Sequence, residues 1–377
     1  IYTGEDTLSL HDALPIYWIG GTGNWSDGSH WSTSSNGSAY GCMPSATDNV
    51  YFDANSFSST GQTVTMNITN GYCKDMIWTD ATKSPTFTNS GSLTLSGNLT
   101  LISGMTFNGG VTLNSTSGVK TITTAGKSIG SITFDGVGGS WELQDNATIG
   151  SINLVNGSFN TKNYNITTSG VTSSNSNVRS LTLGTSTITN NSTMNVAWEF
   201  STVTNLTFSG ASSTMIFTGY RSGCCGNYFN SGGLTYGDVS FTGTGTGNTQ
   251  GWDISGNNTF NSLSFAVNGV LRGSNTITNL TFSAGGVYLL GAGQAQSINS
   301  SIIATGTGGS PISINSTSSG TAATISMISG TFCMDYLSLK DITATGGATF
   351  NAGTHSTNVS GNTGFSFTGS CVPVSPV

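Results

Sequence analysis

A short apolar-polar-apolar triplet recurs along most of this 377-residue chain. Leu93-Thr94-Leu95, Leu99-Thr100-Leu101, Met105-Thr106-Phe107, Val111-Thr112-Leu113 and Ile132-Thr133-Phe134 come first, followed by Leu181-Thr182-Leu183, Leu206-Thr207-Phe208 and Leu280-Thr281-Phe282. Side chains alternate across a strand, so each triplet is a minimal strand with two residues inward and a threonine outward. Gly, Ser and Asn stand between the triplets. Strands this short and this numerous predict a coiled β architecture.

The spacing of the triplets is near six residues early and longer afterwards, which excludes a strict hexapeptide or nonapeptide repeat. Irregular spacing suits an all-β fold: a single elongated, right-handed parallel β-helix (β-solenoid), whose turns stack while loops of varied length leave one side. Both ends of such a stack expose unpaired strand edges and need caps. Phe107, Phe134, Phe159, Phe208, Phe241 and Phe282 each close an inward strand position and are expected to be buried.

Residues 7–16, TLSLHDALPI, are what one reading frame of a common sequencing adapter encodes. Residues 1–16 are therefore expected to be an assembly artefact of a metagenomic contig and are set aside from fold reasoning. The remainder divides by texture into a Trp-rich N-terminal cap with first rungs (17–87), a Gly/Ser/Thr/Asn body (88–330), a closing segment (331–371) and a tail (372–377).

Charged residues make up 7% of the chain, against roughly 25% in ordinary soluble domains. Nine dispersed Lys and Arg form no basic stripe, which argues against a nucleic-acid partner. No apolar run approaches the ~20 residues of a membrane helix, so no membrane insertion is expected of this stretch. None of the six cysteines forms a CxxC pair or sits at zinc-finger spacing. Cys42 with Cys73 and Cys333 with Cys371 bracket the two end segments and are expected to form clamping disulfides, which implies an oxidising compartment. Cys224-Cys225, in RSGCCGNYF, is either a vicinal disulfide or two loop thiols.

The start, WIGGTGNWSDGSHWSTSSNG, with GCMPSATDNVYFDANSF and YCKDMIWTDATKSPTF, resembles uncharacterised secreted or surface β-helix repeat proteins of Bacteroidetes, candidate-phylum bacteria and phage-like metagenomic contigs. The end, CMDYLSLKDITATGGATFNAGTHSTNVSGNTGFSF, is similar to their closing segment, with Phe365 where they commonly carry Trp. The resemblance implies a β-helix with an adhesive or structural role and names no ligand.

Candidate chemistry is sparse. Trp18, Trp25 and Trp31 would make a carbohydrate-binding platform if exposed and coplanar, or an end cap if buried. Asp27, Asp48, Asp53 and Asn55 offer oxygen ligands, but no calcium-loop pattern accompanies them and turn formation explains them. No metal and no cofactor is expected. Asp135, Glu142 and Asp145, around FDGVGGSWELQD, are the nearest approach to the clustered carboxylates of a glycoside hydrolase or lyase. His30 and His355 lie at opposite ends of the sequence, which argues against a His-based triad. TxT strings at 121–123, 187–189 and 276–278 would order water or bind ice only if stacked in register; β-propensity explains them otherwise. These features lead to the expectation of an extracellular structural or adhesin-like module without catalytic activity, secreted or on a cell or virion surface, with glycans or other surface proteins as partners. The competing expectation is a carbohydrate-binding or carbohydrate-cleaving β-helix of the tailspike kind.

Overall fold

A computed structural model describes residues 14–220, 226–243 and 251–369. The chain is a parallel β-solenoid of about 14 turns, 54% strand. One short 3-10 turn, Gly28–His30, is present, and no described residue is in an α-helix. The chain forms two compact units: residues 1–149 with 156–159, and residues 150–155 with 160–377.

In the first unit one turn consists of three short strands. Thr63–Met66, Asn70–Cys73 and Met76–Ile77 make one turn, and Thr86–Asn89, Ser92–Leu95 and Leu99–Thr100 make the next. Each strand pairs in parallel with its counterpart one turn on. Register follows the triplets: Leu93, Val111 and Ile132 align in one row, and Leu95, Leu113 and Phe134 in another. All six are buried. Thr94, Thr112 and Thr133 form the outward row between them. A slip of one residue would exchange these threonines with the core, which is why the pattern fixes the pairing. At the corners glycine is structural: Gly157 has φ +75°, and a Cβ there would lie 2.4 Å from the Gly136 carbonyl oxygen.

The N-terminal Trp-rich segment packs inward. Trp18, Trp25, Trp31 and Trp78 are fully buried. Trp18 and Trp25 each meet Trp31 edge to face at 4.8 Å, and Phe52 stacks on Trp78. The Trp18 and Trp31 indoles donate to the carbonyls of Gly21 and Trp25. Of residues 1–16, Leu14 to Ile16 are described; Pro15 and Ile16 pair with Asn49 and Val50, and Ile16 is buried.

The second unit also carries aromatic inward rows. Phe217, Phe241, Phe265 and Phe282 align over four turns, with successive ring centroids 5.0, 5.1 and 5.9 Å apart. Polar rows also run inside: the Asn258 amide donates to Asn275, and that of Asn275 to Gln296, all three buried. Arg179, 2% exposed, gives its guanidinium to Ser173, Asn177, Thr202 and Thr204. The last turns carry a three-stranded sheet in which Phe332, Phe350 and Phe365 stand in one row. Phe365 packs edge-on against Phe350 at 5.7 Å.

Five of the six expected phenylalanines are buried; Phe208 is half-buried. Its triplet opens a strand directly after the left-handed Asn205 and reads half-buried, exposed, half-buried. The expected Cys42–Cys73 bridge is absent: both are free thiols. Cys73 lies inside the first unit, its side chain in the inward row with Leu95, whereas Cys42 is exposed on a loop. Cys333 sits half-buried on Thr331–Cys333. Cys371, Cys224 and Cys225 lie outside the described residues.

Candidate functional site

The richest outward chemistry lies on four consecutive strands of the second unit: Val196–Glu199, Asn227–Asn230, Trp252–Ser255 and Gly269–Leu271. Trp198, Phe229, Ile254 and Leu271 form their buried inward row. Alternation then sends Tyr228 and Asp253 outward in one row and Glu199, Asn230 and Ser255 outward in a second. Arg272 follows Leu271, and its amide donates to Ile254, which carries it next to Ser255.

These side chains are tied together across turns. The Ser255 hydroxyl donates to Asn230 Oδ1 at 3.1 Å, and Asn230 Nδ2 donates to Glu199 Oε2 at 2.6 Å. Glu199 also accepts from the Ser201 amide. Burial alone would raise the pKa of Glu199, but hydrogen bonds from Ser201, Asn230 and Ser174 outweigh it and hold the carboxyl below its ordinary value. Arg272 grips both oxygens of Asp253, with Nε at 2.7 Å from each. Asp253 is nearly covered, while the Arg272 side chain stays 57% exposed. Tyr228, 36% exposed, stands in the row with Asp253.

Beside the second row runs an open groove of about 450 Å³, lined by Ser201, Gly232, Gly233, Ser255, Gly256 and Asn257. Gly232 and Gly256 have φ +68° and +91°. A Cβ at Gly232 would lie 2.3 Å from the Phe200 carbonyl oxygen, and one at Gly256 would lie 2.7 Å from the Gly233 nitrogen. Both the bends and the open space therefore depend on glycine. The wall is braced from inside: Trp198 Nε1 donates to the Tyr236 hydroxyl, which donates to the Ser231 carbonyl at 2.8 Å.

The residues singled out from sequence lie apart from this groove. Trp18, Trp25 and Trp31 offer no face to a sugar, because each is fully buried and the neighbouring rings are edge to face rather than coplanar. They pack into the N-terminal interior with Phe52 and Phe87. Asp135 is exposed and accepts from Asn156 at 2.7 Å, Glu142 stands on the same strand, Ser128–Leu143, opposite Thr121 of the paired strand Val119–Thr123, and Asp145 accepts from the Thr124 and Ala125 amides in a turn. The trio is spread over strand and turn, with Asp135 and Asp145 engaged in bracing. Asp27 accepts from Ser29, Asp48 from Ser45 and Leu14, and Asp53 from Asn55, all as turn-forming groups. Among the described residues no group of three or more His, Cys, Asp or Glu is placed to hold a metal ion. His30 stacks on Trp18, and His355 stacks on Tyr336 and pairs with Asp335 at 2.8 Å.

The three TxT strings do not stack on one another: Thr121 faces Glu142, Thr187 faces Thr214, and Thr276 lies between Thr259 and Ser297. Threonines do align elsewhere, as Thr63, Thr86 and Thr106 on a four-stranded sheet. The groove residues escaped the sequence reading because Glu199, Asn230 and Ser255 are separated by unequal intervals. Only the register brings them together.

Comparison with protein-family models, curated proteins and solved structures finds no match. No helix among the described residues is long and apolar enough to cross a membrane.

Proposed function

We propose that this chain is an extracellular structural or adhesin-like surface module without catalytic activity, secreted or displayed on a cell or virion surface. The observation that carries the reading is the engagement of its carboxylates. Glu199 is held by Ser201 and Asn230, Asp253 by Arg272, and Asp145 by a turn, so each works as a brace within or between turns. Acid-base hydrolysis of a glycoside asks instead for two carboxyl groups facing one bond, one of them with a raised pKa. The outward rows of Thr, Ser and Asn give a surface whose contacts depend little on salt. A Cys333–Cys371 bridge closing the last turns belongs to the same proposal, and peptide mapping without reductant tests it.

A carbohydrate-binding or carbohydrate-cleaving β-helix is the second reading, favoured by the groove beside Tyr228 and Asn230. Incubation with a panel of bacterial polysaccharides, followed by measurement of new reducing ends and of unsaturated products, separates the cleaving form of that reading from the first. The proposal expects neither above buffer. Product release that stops in Glu142→Gln or Glu199→Gln overturns it.

A further inference from the structure

We infer that the groove over residues 199–201, 228–233, 253–257 and 272 is a binding site for a neutral oligosaccharide, laid along the stacking direction. This takes the binding half of the second reading without the cleavage, as the glycan contact of an adhesin-like module, and rests on the non-catalytic reading.

Three observations carry the inference. The volume, about 450 Å³, falls in the range of roughly 300–1,000 Å³ typical of small-ligand sites. Its floor is glycine backbone and its rim is hydroxyl and amide, with Ser201, Ser255 and Asn257 lining it and Asn230 adjoining. Such groups both donate and accept, as a chain of sugar hydroxyls requires. Tyr228 adds an exposed aromatic ring in the neighbouring row, and an aromatic face suits the apolar face of a pyranose. Outward groups on parallel strands repeat every ~4.8 Å, so successive turns meet successive parts of an extended chain.

Charge selects among ligands. Glu199 and Asp253 are acidic, and among the described residues of the cluster the one cation, Arg272, is already bound to Asp253. A phosphate, sulfate or uronate would meet two carboxylates with no uncommitted cation beside them among the described residues. A neutral sugar meets no such penalty, and the exposed edge of Arg272 and the Asn230 amide remain polar contacts for it.

The test uses the full chain on an array of neutral and anionic oligosaccharides, followed by calorimetric titration with any sugar retained. A neutral oligosaccharide is expected to bind, and Tyr228→Ala and Glu199→Gln are each expected to weaken it at least about tenfold. Asn108→Ala, an outward residue of the four-stranded sheet, should leave the affinity unchanged. Circular dichroism and melting establish that each variant folds. If Glu199→Gln unfolds, Tyr228→Ala decides the matter alone, since that ring is exposed. No neutral sugar bound at millimolar concentration, binding to anionic glycans only, or binding unchanged in the folded variants overturns the inference. None of these outcomes produces reducing ends, so failure here is distinct from failure of the non-catalytic reading.

Discussion

Replacing Arg179 with methionine tests whether a buried cation pins two loops of the second unit. The guanidinium makes five hydrogen bonds: Nε to Ser173 Oγ at 2.7 Å, Nη1 to the Asn177 and Thr204 carbonyls at 2.9 and 2.8 Å, and Nη2 to the Ser173 and Thr202 carbonyls. Methionine fills much of the same volume and satisfies none of them. The two Ser173 acceptors are buried, and stranding each costs about 1–3 kcal/mol. The other three acceptors are partly reached by water and count for less. Removing a desolvated charge returns part of the loss. The balance is a destabilisation of about 4 kcal/mol, or about a thousandfold in the local opening equilibrium at ~1.36 kcal/mol per decade. Stacked turns contact mainly their neighbours, so the loss stays local. Native-state hydrogen exchange reads it directly. The amides of Ser173, Leu183 and Leu206, bonded to Glu199, Ser209 and Val203, are expected to lose about a thousandfold in protection. The Asn114 amide, bonded to Leu95, should not change. Less than a tenfold change at the first three amides, or a uniform loss along the chain, refutes the reasoning.

The free thiols give a second expectation. Cys42 should react with a thiol reagent in the native protein, while Cys73, buried and with its pKa pushed up by burial and then by Asp75 and Asp48, should react only after unfolding; a Cys42–Cys73 bridge in the mass spectrum would contradict this. Alkaline pH gives a third. Burial pushes the Tyr288 phenol up to about 12, against a partial opposing effect of its bond with Ser283, and burial also raises Tyr236. The unfolded chain sheds these protons near pH ~10 while the folded chain keeps them, so their contribution is intact below pH ~10 and is lost as pH climbs toward 12. Urea midpoints measured from about pH 8 to 11.5 should fall at the alkaline end, and less steeply in Tyr288→Phe; an alkaline rise, or an identical slope in the variant, would count against it.

What could be read from sequence follows from periodicity. Triplets such as Val111-Thr112-Leu113 state their inward and outward sides in three letters, and the structure stacks them as stated. Of the two alternatives for the Trp-rich start, exposed platform or buried rings, the structure has the buried one, since Trp18, Trp25 and Trp31 are fully buried. Other features needed partners that only the register supplies. Arg179 looks like any exposed arginine until the loops at 173–177 and 202–204 close over it. Asn258, Asn275 and Gln296 look like turn and surface residues, yet they satisfy one another inside the stack. The cysteines misled because bracketing a segment says nothing about which row each occupies: Cys73 falls in an inward row and Cys42 on a loop.

The account rests on turns stacked in register, with Asn230 and Ser255 side by side on the outward face and Ile254 pointing the other way. Adjacent strands lie ~4.8 Å apart, inside the ~4.4–6.8 Å that a disulfide spans between Cα atoms. Paired cysteines test this, with bridges located by peptide mass mapping after mild oxidation. Asn230→Cys with Ser255→Cys is predicted to cross-link, and Asn230→Cys with Ile254→Cys is predicted not to. Bridging in the second pair, or none in the first, would contradict the register and with it the groove.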